Sequence, residues 1–279
     1  MKEKYIKDIN KRFKGETKDL LLKQIEMFYK DTNIEKTKYK TNDNVLLKKG
    51  TFLHGIFGGL ENFDFTVENG FISTDFTEMP RANKITNSVG MWNIQKDILL
   101  KDYVNEYSGI TIIYNIGRGP NSKTVGKMIP YHQFDKITEE INNKEEVWSY
   151  WGEQTKEVRF LPSLVSDKRQ IAFILNTSST YAKKLIKADI WNEQLSEEVL
   201  KPFIDERYYE KFKEERHNRT VITTNRESSI MFGLPSTLIE GVLVGKKLEK
   251  DKKSIDYIKN KLPGCYICNL EGKVIVGNK

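Results

Sequence analysis

Thr51-Phe52-Leu53-His54-Gly55 is the stretch on which the reading of this chain turns. Residues 50–53 read as a short strand, and the His-Gly that closes it sets a polar ring beside a residue with no side chain. A helix-like stretch, Leu60 to Glu68, comes next. Glu68-Asn69-Gly70-Phe71 then carries the turn signal that opens another strand over residues 70–73.

The same alternation of short strands and helices spreads outward from there. Further strands are predicted over residues 90–94, 109–116, 158–164, 170–176, 221–224, 228–232 and 241–244, with a closing hairpin over 265–276. Helices are predicted over 96–106, 133–142, 181–187, 197–215 and 252–261. Many short strands without regular βαβ alternation predict an α+β fold, not a doubly wound parallel sheet. Residues 1–45 read as a helical N-terminal segment, with Tyr5, Ile6, Ile9 and Phe13, then Leu20, Leu21, Ile25, Phe28 and Tyr29, near helical spacing. The remainder, 46–279, reads as one catalytic-sized domain, with no internal repeat.

Bulk properties narrow the function classes. A chain of 279 residues, 38% hydrophobic and 11% aromatic, can bury a substantial core. No apolar run approaches the roughly 20 residues that cross a bilayer, and charges at Met1–Tyr5 lack the apolar stretch of a secretory signal. These features predict a cytoplasmic protein without a membrane partner. Cys265 and Cys268 lack two further ligands for zinc and read as half-buried strand residues, so no metal is expected. The net charge of +7 makes a polyanionic partner plausible, though a lysine-rich surface also simply keeps a protein soluble. A Walker loop, a dinucleotide glycine motif and a serine-nucleophile elbow are all missing from the sequence.

Two more segments complete a pattern begun by the His-Gly strand. One is Gly90-Met91-Trp92-Asn93, running on through Lys101-Asp102-Tyr103. The other is Glu227-Ser228-Ser229-Ile230-Met231-Phe232, followed by Leu234-Pro235 and Leu238 to Val244. In order and spacing the three segments resemble the ADP-ribosyltransferases of the His-Tyr-Glu type, over roughly residues 50 to 245. The resemblance implies a split antiparallel β-sheet core and NAD as substrate, the donor of ADP-ribose. It implies that His54 binds the adenosine-side ribose, that the Gly55 backbone lies close to the nicotinamide amide, and that Trp92 and Tyr103 wall the nicotinamide slot. Glu227 is implied as the catalytic carboxylate beside the ribose, and Arg81 as a loop residue reaching the pyrophosphate; Arg226 and Arg118 are weaker versions of the same idea. The segment of about 117–219 has no counterpart in a minimal core and reads as an insertion.

The sequence departs from the family in two places. Trp92 stands where tyrosine is usual, which keeps a stacking surface and loses a hydroxyl. Ile56 follows Gly55 where the polymerases carry serine or threonine. A related class, built on arginine, a Ser-Thr-Ser strand and Glu-x-Glu, fits poorly, because Asn225 lies two residues before Glu227.

Plainer roles exist for each residue: a strand-end histidine bonded to backbone for His54, an edge-strand surface charge for Glu227, core aromatics for Trp92 and Tyr103, and a solvated loop residue for Arg81. Glu240 is the nearest rival to Glu227, since Leu238-Ile239-Glu240-Gly241 also precedes a strand. Trp148, Tyr150, Trp151, Trp191 and Arg207-Tyr208-Tyr209-Glu210-Lys211-Phe212 mix rings with charge, as a nucleic-acid grip or as an amphipathic helix on the core. The expectation is a mono-ADP-ribosyltransferase, such as a toxin or defence effector, acting on nucleic acid or protein. The alternatives are an RNA 2′-phosphotransferase-like enzyme and a catalytically inactive binding module of the same fold.

Overall fold

A computed structural model of the chain describes residues 1–56, 59–73, 88–107, 110–116, 123–129, 161–162, 170–204, 206, 209–217 and 225–279. Its strands are β1 (Leu46–Leu47), β2 (Phe52–Ile56), β3 (Phe71–Ile72), β4 (Ser88–Ile94), β5 (Ile98–Leu99), β6 (Ile110–Ile116), β7 (Lys123–Ile129), β8 (Leu161–Pro162), β9 (Ile171–Leu175), β10 (Asn225–Met231), β11 (Gly233–Leu234), β12 (Ile239–Val244), β13 (Tyr266–Cys268) and β14 (Val274–Val276). The helices are α1 (Lys2–Arg12), α2 (Gly15–Phe28), α3 (Leu60–Asn69), α4 (Leu100–Tyr107), α5 (Thr180–Leu185), α6 (Glu197–Leu200), α7 (Tyr209–His217), α8 (Lys246–Glu249) and α9 (Lys252–Lys261).

The architecture is mixed α+β around a seven-stranded sheet in the order β10-β4-β2-β9-β12-β13-β14. Every neighbouring pair in it is antiparallel except β12 with β13. Three smaller sheets pair β1 with β5, β3 with β11, and β6 with β7 and β8.

Ile171-Ala172-Phe173-Ile174-Leu175 forms the central strand, although it lies inside the segment read from sequence as an insertion. Five apolar residues in a row suit a strand covered on both faces. Ile171, Phe173 and Leu175 enter one core, with Phe63, Phe71 and Val242. Ala172 and Ile174 enter the other, with Leu53, Tyr103 and Tyr266. A third core joins α1 and α2 to Phe203, Phe212, Met231 and Phe232. Within it Gln24, buried in α2, donates to the carbonyls of Leu185 (3.2 Å) and Gly233 (3.4 Å), so the N-terminal helices are tied into the domain by polar as well as apolar contacts.

Several boundaries differ from the sequence expectation, each for a local reason. β2 runs through His54 and Gly55 instead of ending before them, because β9 continues to pair with both. β10 starts at Asn225, which places Glu227 within the strand and not at its opening. A single helix over 197–215 does not form: Pro202 sits in a 3-10 turn, Lys201–Phe203, directly after α6. Proline has no N–H to give and crowds the preceding turn. Cys265 and Cys268 are fully buried, not half-buried, and both are free thiols. The expected strand over 221–224 and helix over 133–142 lie outside the described residues.

The chain turns sharply after β10. Phe232 has φ +64°, and Gly233 has φ +142° with the Phe71 carbonyl pressed against its Cα. A Cβ on Gly233 would sit 1.8 Å from that oxygen, so only glycine fits where β11 meets β3.

Candidate active site

The seven-stranded sheet is unevenly joined. β10 and β4 pair over seven residues, from Asn225↔Ile94 to Met231↔Ser88, and β2 pairs with β9 over five. Between these two halves, β2 and β4 pair only at Phe52↔Asn93 and Leu53↔Trp92, with Ile94 also bonded to the Gly50 N–H and the Thr51 carbonyl just before β2. Beyond Leu53 the ladder stops, and His54 reaches across instead: its Nδ1 lies 2.9 Å from the Gly90 carbonyl oxygen. A carbonyl only accepts, so Nδ1 carries a proton and donates to it. The ring is held from the side by Phe71, edge-on at 5.4 Å between centroids. Gly55, half-buried, and Gly90, exposed, flank it and add no side-chain bulk.

Trp92 sits one register step away, half-buried against the core that contains Tyr103. The backbone of Glu227 is directly paired with that of Trp92, and Arg226 with Asn93. Three adjacent strands thus carry Leu53-His54, Trp92 and Glu227 side by side. Tyr103 is 1% exposed in α4, a core position. His54 and Trp92 occupy opposite sides of the sheet where the ladder ends, one against Phe71 and the other against the Tyr103 core. Arg81 and Arg118 lie outside the described residues, as does the side chain of Glu227.

Sequence reasoning passed over Asp189. Its carboxylate is buried and accepts from the Ser229 N–H at 2.8 Å and the Trp191 N–H at 3.2 Å, while Ile190 N–H donates to the Ser229 carbonyl. These bonds fasten the outer side of β10 two residues from Glu227. The available signal was an acid set in the otherwise apolar run Ala188-Asp189-Ile190-Trp191. Next to it on β10, the buried Ser228 hydroxyl has no hydrogen-bond partner among the described residues, and neither has Asn93 Oδ1 on β4.

Glu240 is not part of this constellation. It is buried at the start of β12, where its Oε2 accepts from Thr37 N–H (3.3 Å) and Thr37 Oγ1 (2.9 Å). Burial pushes its carboxyl above the ordinary range, against the opposing pull of the Thr37 and Asn176 hydrogen bonds. Among the described residues, no group of three His, Cys, Asp or Glu side chains is placed to hold a metal ion. No described helix is long and apolar enough to cross a membrane. Comparison with protein-family models, curated proteins and solved structures finds no match.

Proposed function

We propose that this chain is an NAD-dependent mono-ADP-ribosyltransferase acting at the junction of β2, β4 and β10. The observation that carries the reading is the short β2–β4 ladder, which leaves His54 bridging to Gly90 beside the paired backbones of Trp92 and Glu227. A sheet that parts between its histidine and glutamate strands is what the family resemblance leads one to expect.

The chemistry asks for few groups. The C1′–N bond of NAD breaks with its electron pair leaving on neutral nicotinamide, and positive charge builds on the ribose. Glu227 supplies the negative charge that stabilises it and takes the proton of the acceptor as its oxygen or nitrogen bonds to C1′. His54, oriented through Nδ1 by the Gly90 carbonyl, offers Nε2 to a ribose hydroxyl. Gly55 lets the backbone approach the carboxamide, and Trp92, on the other side of the sheet from His54, offers a flat apolar surface to a nicotinamide ring that passes the open end of the β2–β4 ladder.

Two observations favour a second reading, a catalytically inactive module of the same fold: Tyr103 is buried at 1% exposure, so it shows no open ring face as the second wall of a slot, and His54 stands on the opposite side of the sheet from Trp92. Nicotinamide release from NAD by the purified protein, with and without RNA, DNA or cell lysate, decides between the two. Release that disappears in Glu227→Gln supports the enzyme. Absence of release, together with no NAD-induced shift in melting temperature, leaves the binding module.

A further inference from the structure

A cavity of about 370 Å³ opens where β2 begins and β9 ends, lined by Glu240, Tyr39, Thr177, Lys48, Lys49 and Lys183 among others. It lies at the Thr51 end of β2, three residues before His54, which along a strand is about 10 Å. It is therefore a different place from the His54 cleft, and nothing in it depends on the proposed transferase chemistry.

Two features of the lining oppose each other chemically. Glu240 is 7% exposed, and its hydrogen bonds come from neutral groups: the two Thr37 donors and the Asn176 amide, with Lys36 only a minor charge nearby. A carboxylate offers about four acceptor positions, so three donors leave one for a group inside the cavity. A buried carboxyl that lines a cleft with an acceptor position still open is a functional candidate. Against it stand three lysines. Lys48 is paired with Asp97 at 2.8 Å, while Lys49 and Lys183 form no ion pair with a described carboxylate. Tyr39 is fixed as a wall by its hydroxyl, which accepts from Leu46 N–H at 3.2 Å, and Thr177 is fixed by donation to the Gly50 carbonyl.

A ligand complementary to this lining carries a dianion at one end and hydroxyl or amino donors at the other. A cation would be repelled by the lysines, and an anion without donors would leave the open acceptor position of Glu240 unused. The volume falls in the range of small-molecule pockets, about 300–1,000 Å³, too small to enclose a polymer. We propose that this cavity is a binding site for a 5′-phosphorylated ribose compound of about nucleoside-monophosphate size, with the phosphate at Lys49 and Lys183 and a ribose or base donor on Glu240.

Isothermal titration of the full chain with AMP at low salt tests this, with ribose 5-phosphate, adenosine and inorganic phosphate as companion probes. AMP and ribose 5-phosphate are expected to bind, and adenosine and inorganic phosphate to bind at least about tenfold more weakly. The double variant Lys49→Ala/Lys183→Ala, altered only at solvent-accessible side chains, should lose about tenfold in AMP affinity, and Glu240→Gln about fivefold. Glu227→Gln should leave AMP affinity unchanged. The proposal is overturned if neither AMP nor ribose 5-phosphate binds at low-millimolar concentration, or if the lysine pair can be removed without loss. It is equally overturned if binding follows Glu227 or His54, since AMP then occupies the cleft instead. Failure of the transferase reading would show as absent nicotinamide release and would not alter any of these affinities.

Discussion

Each residue near β10 predicts a different experimental signature. Glu227→Gln keeps the shape of the side chain and removes its charge, so nicotinamide release should fall at least about 100-fold while the melting temperature moves little. Ser228, its neighbour, carries a buried hydroxyl without a partner among the described residues. Ser228→Ala removes an unsatisfied group and should stabilise the protein by about 1 kcal/mol in urea titration; a destabilised variant would mean that the hydroxyl is bonded after all. Glu240 predicts a pH effect. Its carboxyl is raised in the folded state by burial, so the native protein holds that proton at pH values where the unfolded chain has released it. Stability therefore declines as pH rises from the ordinary carboxyl range to just above the raised value, and is flat on either side. Glu240→Gln should remove that slope, measured as urea midpoints across pH. His54 was singled out from sequence because His-Gly closing an apolar run is a local pattern, and the structure places it where the β2–β4 ladder ends. Asp189 was not, because its value lies in a bond to Ser229 forty residues away.

Elements were legible where burial imposes a pattern on adjacent residues, and illegible where pairing alone makes the strand. β9 could be read directly, since a strand covered on both faces needs an unbroken apolar run. The start of β10 could not: Asn225-Arg226-Glu227 is polar, and an edge strand tolerates polar residues that a central one rejects. β3 and β11, two residues each, have no periodicity to detect and exist because Gly233 lets the Phe71 carbonyl approach. Gly233→Ala should cost more than about 3 kcal/mol, or prevent folding, because backbone and not a pliant side chain occupies the Cβ position. The helical prefix was legible from its spacing, but its degree of integration was not. Gln24→Leu would leave the Leu185 and Gly233 carbonyls without their donor and should cost about 1–3 kcal/mol, read from urea unfolding.

At the scale of the whole molecule, the α+β class followed from the rhythm of short strands and the antiparallel pairing was expected only from the resemblance, while the order of the strands rests on long-range register that no local window contains. Tyr103 shows the same limit. An aromatic in a helix reads equally as a slot wall or as core, and it is packed in the core. The net charge of +7 bears on the acceptor. If the acceptor is nucleic acid, its stimulation of nicotinamide release should drop steeply between about 50 and 200 mM salt while release without acceptor changes little, because counterion release governs only the polymer. A protein acceptor would show a shallow dependence in the same assay. The two-residue ladder between β2 and β4 also has a mechanical meaning. Cross-strand bonds loaded side by side share a force, and two pairs with the Ile94 bonds to Gly50 and Thr51 beside them share it less than the five or seven pairs of the neighbouring lines. Drawn apart across its strands by handles placed on β10 and β12, the sheet should tear first along the Leu53–Trp92 line, leaving β10 with β4 on one fragment and β2 with β9 on the other.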